Sequence, residues 1–171
     1  MNTFVGEYKR YRALLENAIE QVSEEEMFRR IGEQDNSIAI ILKHISGNLL
    51  SRFTDFLTTD GEKEWRNREA EFEVHQMNRA ALLEKWNKAW KVLEDSVFSL
   101  TPADMSKVVK IRGVSFTVEE ALARSLAHFS YHVGQIVYLA KHFAGKNWNY
   151  LSIPPGKSAE YNKNPMKEKG F

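Results

Sequence analysis

Cysteine is absent from the chain, so no disulfide staples it and no thiolate serves as ligand or nucleophile. That absence fits a reducing compartment. Long apolar runs are missing too: the longest uninterrupted aliphatic stretch, Ile38 to Leu42, falls far short of the ~20 residues that a membrane-spanning helix needs. The opening MNTFVGEYKRYRALL lacks the apolar centre of a signal peptide. There is also no excess of charge of one sign. Twenty-four Lys and Arg stand against 23 Asp and Glu, a net charge of +1, and the two signs are mixed along the chain, so no basic face advertises binding to a phosphate backbone. These absences argue against nucleic-acid and membrane partners, and a soluble, cytoplasmic protein is expected.

What is present is helical periodicity. A chain of 171 residues is long enough to bury one continuous core without staples. Phe4, Tyr8, Tyr11, Leu15, Ala18 and Val22 recur in steps of three and four and predict a first amphipathic helix. Ile38, Leu42, Ile45, Leu49, Phe53 and Phe56 predict a second, with a cap among Asp35, Asn36 and Ser37. Leu83, Trp86, Trp90, Leu93, Val97 and Leu100 predict a third, capped by Asn78. A fourth carries Leu122, Leu126, Phe129, Val133, Ile136, Ala140 and Phe143, opens on a Thr117–Glu120 capping box and ends at Gly145. Short turns begin at Ser23, with Glu26 three residues on, and at Thr101-Pro102. Between the second of these and the fourth helix, Lys107 to Ile111 and Val114 to Thr117 flank Arg112-Gly113, which reads as a small hairpin.

The connection from Thr58 to Met77 is long and charged, and its twenty residues are enough to run the length of a four-turn helix. The second and third helices can then lie parallel. The expected fold is an all-α four-helix bundle with a long crossover between helices two and three and a small β-hairpin before helix four, short-loop topology being the alternative. It spans residues 1–153, with 154–171 a tail that begins at Pro154-Pro155-Gly156 and is expected to be poorly ordered toward its end.

Three histidines carry the functional signal. His128 and His132, in HFSYHVGQI, lie one turn apart and share a helix face. They sit one residue before the apolar seam of the fourth helix, in line with Gln135 and with the small residues Ala121 and Ser125. His44 and Asn48 repeat that offset on the second helix. Facing helices with this register bring three imidazoles toward one point, enough ligands for a metal ion with positions left open, as in catalytic centres. Asn48 and Gln135 are candidates for orienting the imidazoles. His142 shares the direction of His128 but is about 21 Å along the helix from it. His75 reads as exposed, and Tyr131 is expected to point away from the histidine stripe, to solvent or a subunit contact. Gly156-Lys157-Ser158 is no phosphate loop, since Leu151 stands where that motif requires glycine.

A histidine midway along the second helix, His-x3-His followed by Gln on the fourth, and paired short turns after helices one and three resemble the DinB/YfiT-like superfamily of four-helix-bundle metalloenzymes. The stretches GNLLSRFTDFLTTDGEKEWRNREAEFE, YHVGQI and LSIPPGKS resemble one uncharacterised branch of it. The resemblance covers most of the chain. It implies a metal triad of His44, His128 and His132, zinc or nickel as the divalent metal, a homodimer, and a small-molecule substrate. Some relatives transfer or isomerise with low-molecular-weight thiols of the bacillithiol or mycothiol type, which implies a thiol-dependent S-transferase. A metal-dependent hydrolase is the alternative, because bound water also loses proton affinity. Arg52, Arg66 and Arg68 could grip an acidic thiol or substrate, though the interleaved Glu64, Glu69 and Glu71 offer each a plain surface ion pair. A non-catalytic bundle that binds a partner or a second copy of itself is the reading from a different class.

Overall fold

The computed structural model describes residues 2–74 and 77–164. The expected helices are α1 (Asn2–Ile19), α3 (Ile38–Phe53), α4 (Arg79–Val97) and α5 (Val118–Ala144), with the short α2 (Glu24–Phe28) after α1 and α6 (Ser158–Tyr161) in the tail. His75 and the end of the tail, 165–171, lie outside the described residues.

Local chemistry sets the boundaries. Ser37 caps α3 by accepting from the Ile40 N–H, and Asn78 caps α4 by accepting from the Ala81 N–H. Capping boxes open α2 (Ser23 with Glu26) and α5 (Thr117 with Glu120), while Thr101 and Asp104 form another on the turn Pro102–Asp104. Each satisfies backbone donors that a helix start leaves free. Gly145 ends α5 at φ +54, a conformation that favours glycine. The hairpin pairs β1 (Val108–Ile111) with β2 (Val114–Thr117) antiparallel, Ile111 opposite Val114. Its two turn residues, Arg112 and Gly113, both have positive φ, the twist that matches two-residue hairpins.

Contacts across the bundle fix its direction. Ser96, near the end of α4, donates to the Phe53 carbonyl at the end of α3, so these two helices run parallel. Tyr8, early in α1, donates to the Leu122 carbonyl early in α5, and Gln21 and Asn149, just past the ends of the same two helices, bond to each other; α1 and α5 are parallel as well. Arg79, opening α4, donates to the Ile19 and Val22 carbonyls at the end of α1. The order is up, down, down, up, and the crossover between α3 and α4 is what makes it possible.

The four seams meet in one core. The five seam residues within α3 and Phe56 just beyond its end are buried, and Tyr8, Trp86, Trp90 and Phe129 join them. Phe129 stacks on Tyr8 and on Trp86, ring centroids 6.0 Å apart in both pairs. The seam of α4 is shifted from expectation: Leu82 is fully buried while Leu83 is only partly so, because α4 is rotated to bring Trp86, Ala89 and Leu93 inward. No helix among the described residues is long and apolar enough to cross a membrane. Phe129→Ala should cost about 3–5 kcal/mol, whereas Tyr138→Ala on the same helix, at a side chain 71% exposed, should change stability by no more than about 0.5 kcal/mol. Urea denaturation of the two variants measures both.

Candidate metal centre

α3 and α5 run antiparallel, so the polar stripes beside their seams face each other. His44, His128 and His132 thereby come together, with one ligand atom from each lying within 4.8 Å of the others. The Nε2 atoms of His44 and His128 are 3.4 Å apart, and the Nε2 of His132 is buried with no hydrogen-bond partner among the described residues. The three histidines could hold a metal ion.

The Nδ1 atoms of two of the three are fixed. His44 Nδ1 lies 2.8 Å from Glu71 Oε2; a carboxylate can only accept, so His44 donates there, and in the neutral ring its Nε2 presents a lone pair. His132 Nδ1 lies 2.8 Å from Gln135 Oε1, and donation to that oxygen again leaves Nε2 free to accept. Burial, then the neighbouring histidines, pushes His128 down to about 3, and burial pushes His132 down to about 4 against the opposing bond to Gln135. Both imidazoles are neutral at physiological pH, as ligands must be.

Glu71 is the residue that organises the centre. It stands in the 3-10 turn Glu69–Phe72 of the crossover and is 6% exposed. Arg66 donates Nε to its Oε1 at 2.8 Å and Nη2 to its Oε2 at 3.0 Å, and the Arg66 side chain is only 3% exposed. Burial alone would raise the Glu71 carboxyl, but the bonds from His44 and Arg66 and the Arg66 charge outweigh it and hold it below the ordinary carboxylate range. Gly47 makes the approach possible: a Cβ there would sit 2.2 Å from Glu71 Oε1. Lys43, one residue before His44, clamps the turn to α3 by donating to the Ala70 and Glu73 carbonyls. Phe72 completes the seat by stacking on the His44 ring, centroids 5.3 Å apart at 27°.

The start of the crossover is tied to the hairpin, where the Asp60 carboxylate accepts from the Arg112 and Gly113 N–H groups at 2.8 and 2.7 Å. Crossover, hairpin, α3 and α5 together wall an open cavity of about 1040 Å³ with the histidines on its surface. Asn48 and Gln135 line it, as do Ala121 and Ser125. Arg52, Arg66 and Arg68 line it too, but in different conditions: Arg66 is engaged by Glu71, Arg68 is exposed beside Glu69, and Arg52 has no ion pair among the described residues. Tyr131 does not turn away as expected. It is 53% exposed, yet its ring lies 4.1 Å from that of His132 and lines the cavity, because a residue between two histidines of the same stripe flanks both. Glu71, Phe72 and Arg124 were not legible as site residues. Gly47 was the available signal, since a glycine inside a helix suggests that something approaches closely.

The donor set fits a metal ion. Nitrogens about 3.4 Å apart match two ligands at ~2.0–2.1 Å from a tetrahedral cation, and a buried unpaired nitrogen is otherwise costly. Fold and site thus define a four-helix bundle with a candidate three-histidine metal centre. A sequence model described as "Protein of unknown function (DUF1572)" matches residues 1–157, and the chain belongs to that family. None of the curated proteins and none of the solved structures compared with the chain matches it.

Gly47 yields a prediction of opposite signs. At Gly134 of α5 an added Cβ meets nothing within 4 Å, so Gly134→Ala should stabilise by about 0.5–1 kcal/mol through helix propensity. Gly47→Ala should instead destabilise by about 1–3 kcal/mol, as it must displace a buried carboxylate. Chemical denaturation of both variants checks the signs.

Proposed function

We propose that this protein is a metal-dependent enzyme of the DinB-like type that activates a small thiol for transfer to an electrophile. One observation carries the reading: three imidazoles bring ring nitrogens within 4.8 Å of one another beside an open cavity while Glu71 and Gln135 hold the Nδ1 atoms of two of them. Structural histidines have no need of that arrangement, and a buried Nε2 without a partner is unfavourable in a protein that uses its histidines only for packing.

A divalent cation held there supplies Lewis acidity, lowering the pKa of a coordinated thiol or water. The residues supply the rest. Glu71 and Gln135 fix ring orientation and tautomer, which tunes imidazole basicity; Phe72 and Tyr131 shield the ring faces; the cavity admits a substrate several atoms long. Thiol chemistry is favoured over hydrolysis by the cavity wall, on which no aspartate or glutamate stands among the described residues. A thiol, with a free pKa near 8.5, gives up its proton without a dedicated carboxylate base. Water is far less acidic and needs more help. Zinc or nickel suits the imidazole donor set.

Protein purified without a histidine tag should carry about one divalent ion per chain. His132→Ala should lose it, and Glu71→Gln should weaken zinc binding about 10–100-fold, both read by metal analysis and chelator competition. A wild-type protein that takes up no metal, or variants that hold it equally well, would contradict the centre. Incubating the metal-loaded protein with small thiols and a chlorinated aromatic should yield a thioether and chloride. Failure with every thiol would retire thiol transfer while leaving the metal centre standing.

A further inference from the structure

Five arginines (Arg52, Arg66, Arg68, Arg112 and Arg124) line the cavity. Three are spoken for: Arg66 by Glu71, Arg68 by Glu69 and Arg112 by Glu62. Arg52 and Arg124 have no carboxylate partner among the described residues. The Arg52 guanidinium is seated against Gly61, where an added Cβ would lie 2.9 Å from Nη1, and that Nη1 is buried without a hydrogen bond among the described residues. Burial and the charges of Arg66, Arg124 and Arg112 lower its pKa, with only Glu62 opposing. An unneutralised guanidinium in this position is destabilising by itself, which points to a ligand that supplies the missing charge.

Register places the pair. Arg52 follows His44 and Asn48 at steps of four on α3, and Arg124 precedes His128 by four on α5. Because the helices are antiparallel, both arginines lie toward the same end of the cavity, about 12 Å along α3 from His44 and about 6 Å along α5 from His128. We propose that Arg52 and Arg124 form an oxyanion subsite that receives a carboxylate or phosphate substituent of the substrate, several bonds from its reacting atom. Paired guanidinium forks suit the planar or tetrahedral oxygens of either group. The subsite stands on the arginines alone; its distance from the reacting atom rests on the metal centre proposed above.

Two arms of an experiment separate those parts. In the first, metal-free protein is titrated with glutarate and with inorganic phosphate and followed by NMR. Saturable binding is expected, at least fivefold weaker in both Arg52→Gln and Arg124→Gln, and the tighter anion identifies the substituent. Arg124 is exposed, so its variant keeps the fold even should Arg52→Gln lose it. Absence of saturable binding of either anion, or equal binding by wild type and Arg124→Gln, would overturn the subsite. In the second arm, calorimetry compares 6-mercaptohexanoate with 6-mercaptohexanol on zinc-loaded protein. The carboxylate should bind at least tenfold tighter in wild type and less than threefold tighter in Arg124→Gln. No preference in a zinc-loaded wild type would overturn the spanning arrangement, whereas a protein that takes up no zinc refutes the metal reading and leaves the first arm decisive for the arginines.

Discussion

The Glu71 carboxylate is shared, out of water, between the Arg66 guanidinium and the Nδ1–H of His44, and the rest of the site follows from that sharing. A buried ion pair adds little net stability, because desolvation consumes most of the Coulomb gain. Its consequence here is positional. With both oxygens committed, Glu71 cannot rotate; with Nδ1 committed, the His44 ring cannot flip, and its lone pair faces His128 and His132. Removing any one member leaves the others buried and uncompensated, so the arrangement is held as a unit.

The topology exists to deliver that carboxylate. A short loop between α3 and α4 would make these helices antiparallel and leave nothing to cover the histidine face of α3. The long crossover runs back along α3, pinned at one end to the hairpin through Asp60 and farther along to α3 through Lys43. It contributes Arg66, Arg68 and Phe72 to the cavity wall and Glu71 to the histidines. The hairpin has the same purpose at the other side. Two strands alone are marginal in water, and β1 and β2 persist because Val109 and Ile111 are buried against the bundle while Asp60 caps their turn.

Much of this was legible in the residues. Seam periodicity found the four long helices because burial of an apolar stripe leaves a repeat of three and four, and the capping residues found their starts because orphan N–H groups need acceptors. The offset of His44, His128 and His132 by one residue from their seams was enough to place them side by side once the helices were taken to face each other. What escaped was the irregular segment. Nothing in DGEKEWRNREAEFE has a period, so the burial of Glu71 and Arg66 amid exposed neighbours of the same charges had no local signature. Arg124 escaped for a related reason: on α5 alone it is a surface arginine, and only the antiparallel register sets it opposite Arg52.

Whether three imidazoles converge on one cation is tested most directly by X-ray absorption at the zinc edge of the loaded protein. Three nitrogen scatterers at about 2.0–2.1 Å, carrying the multiple-scattering signature of imidazole, are expected in the wild type, and His132→Ala, which loses the ion, should show no such shell. A zinc shell made of oxygen, or one unchanged when His132 is removed, would contradict the convergence.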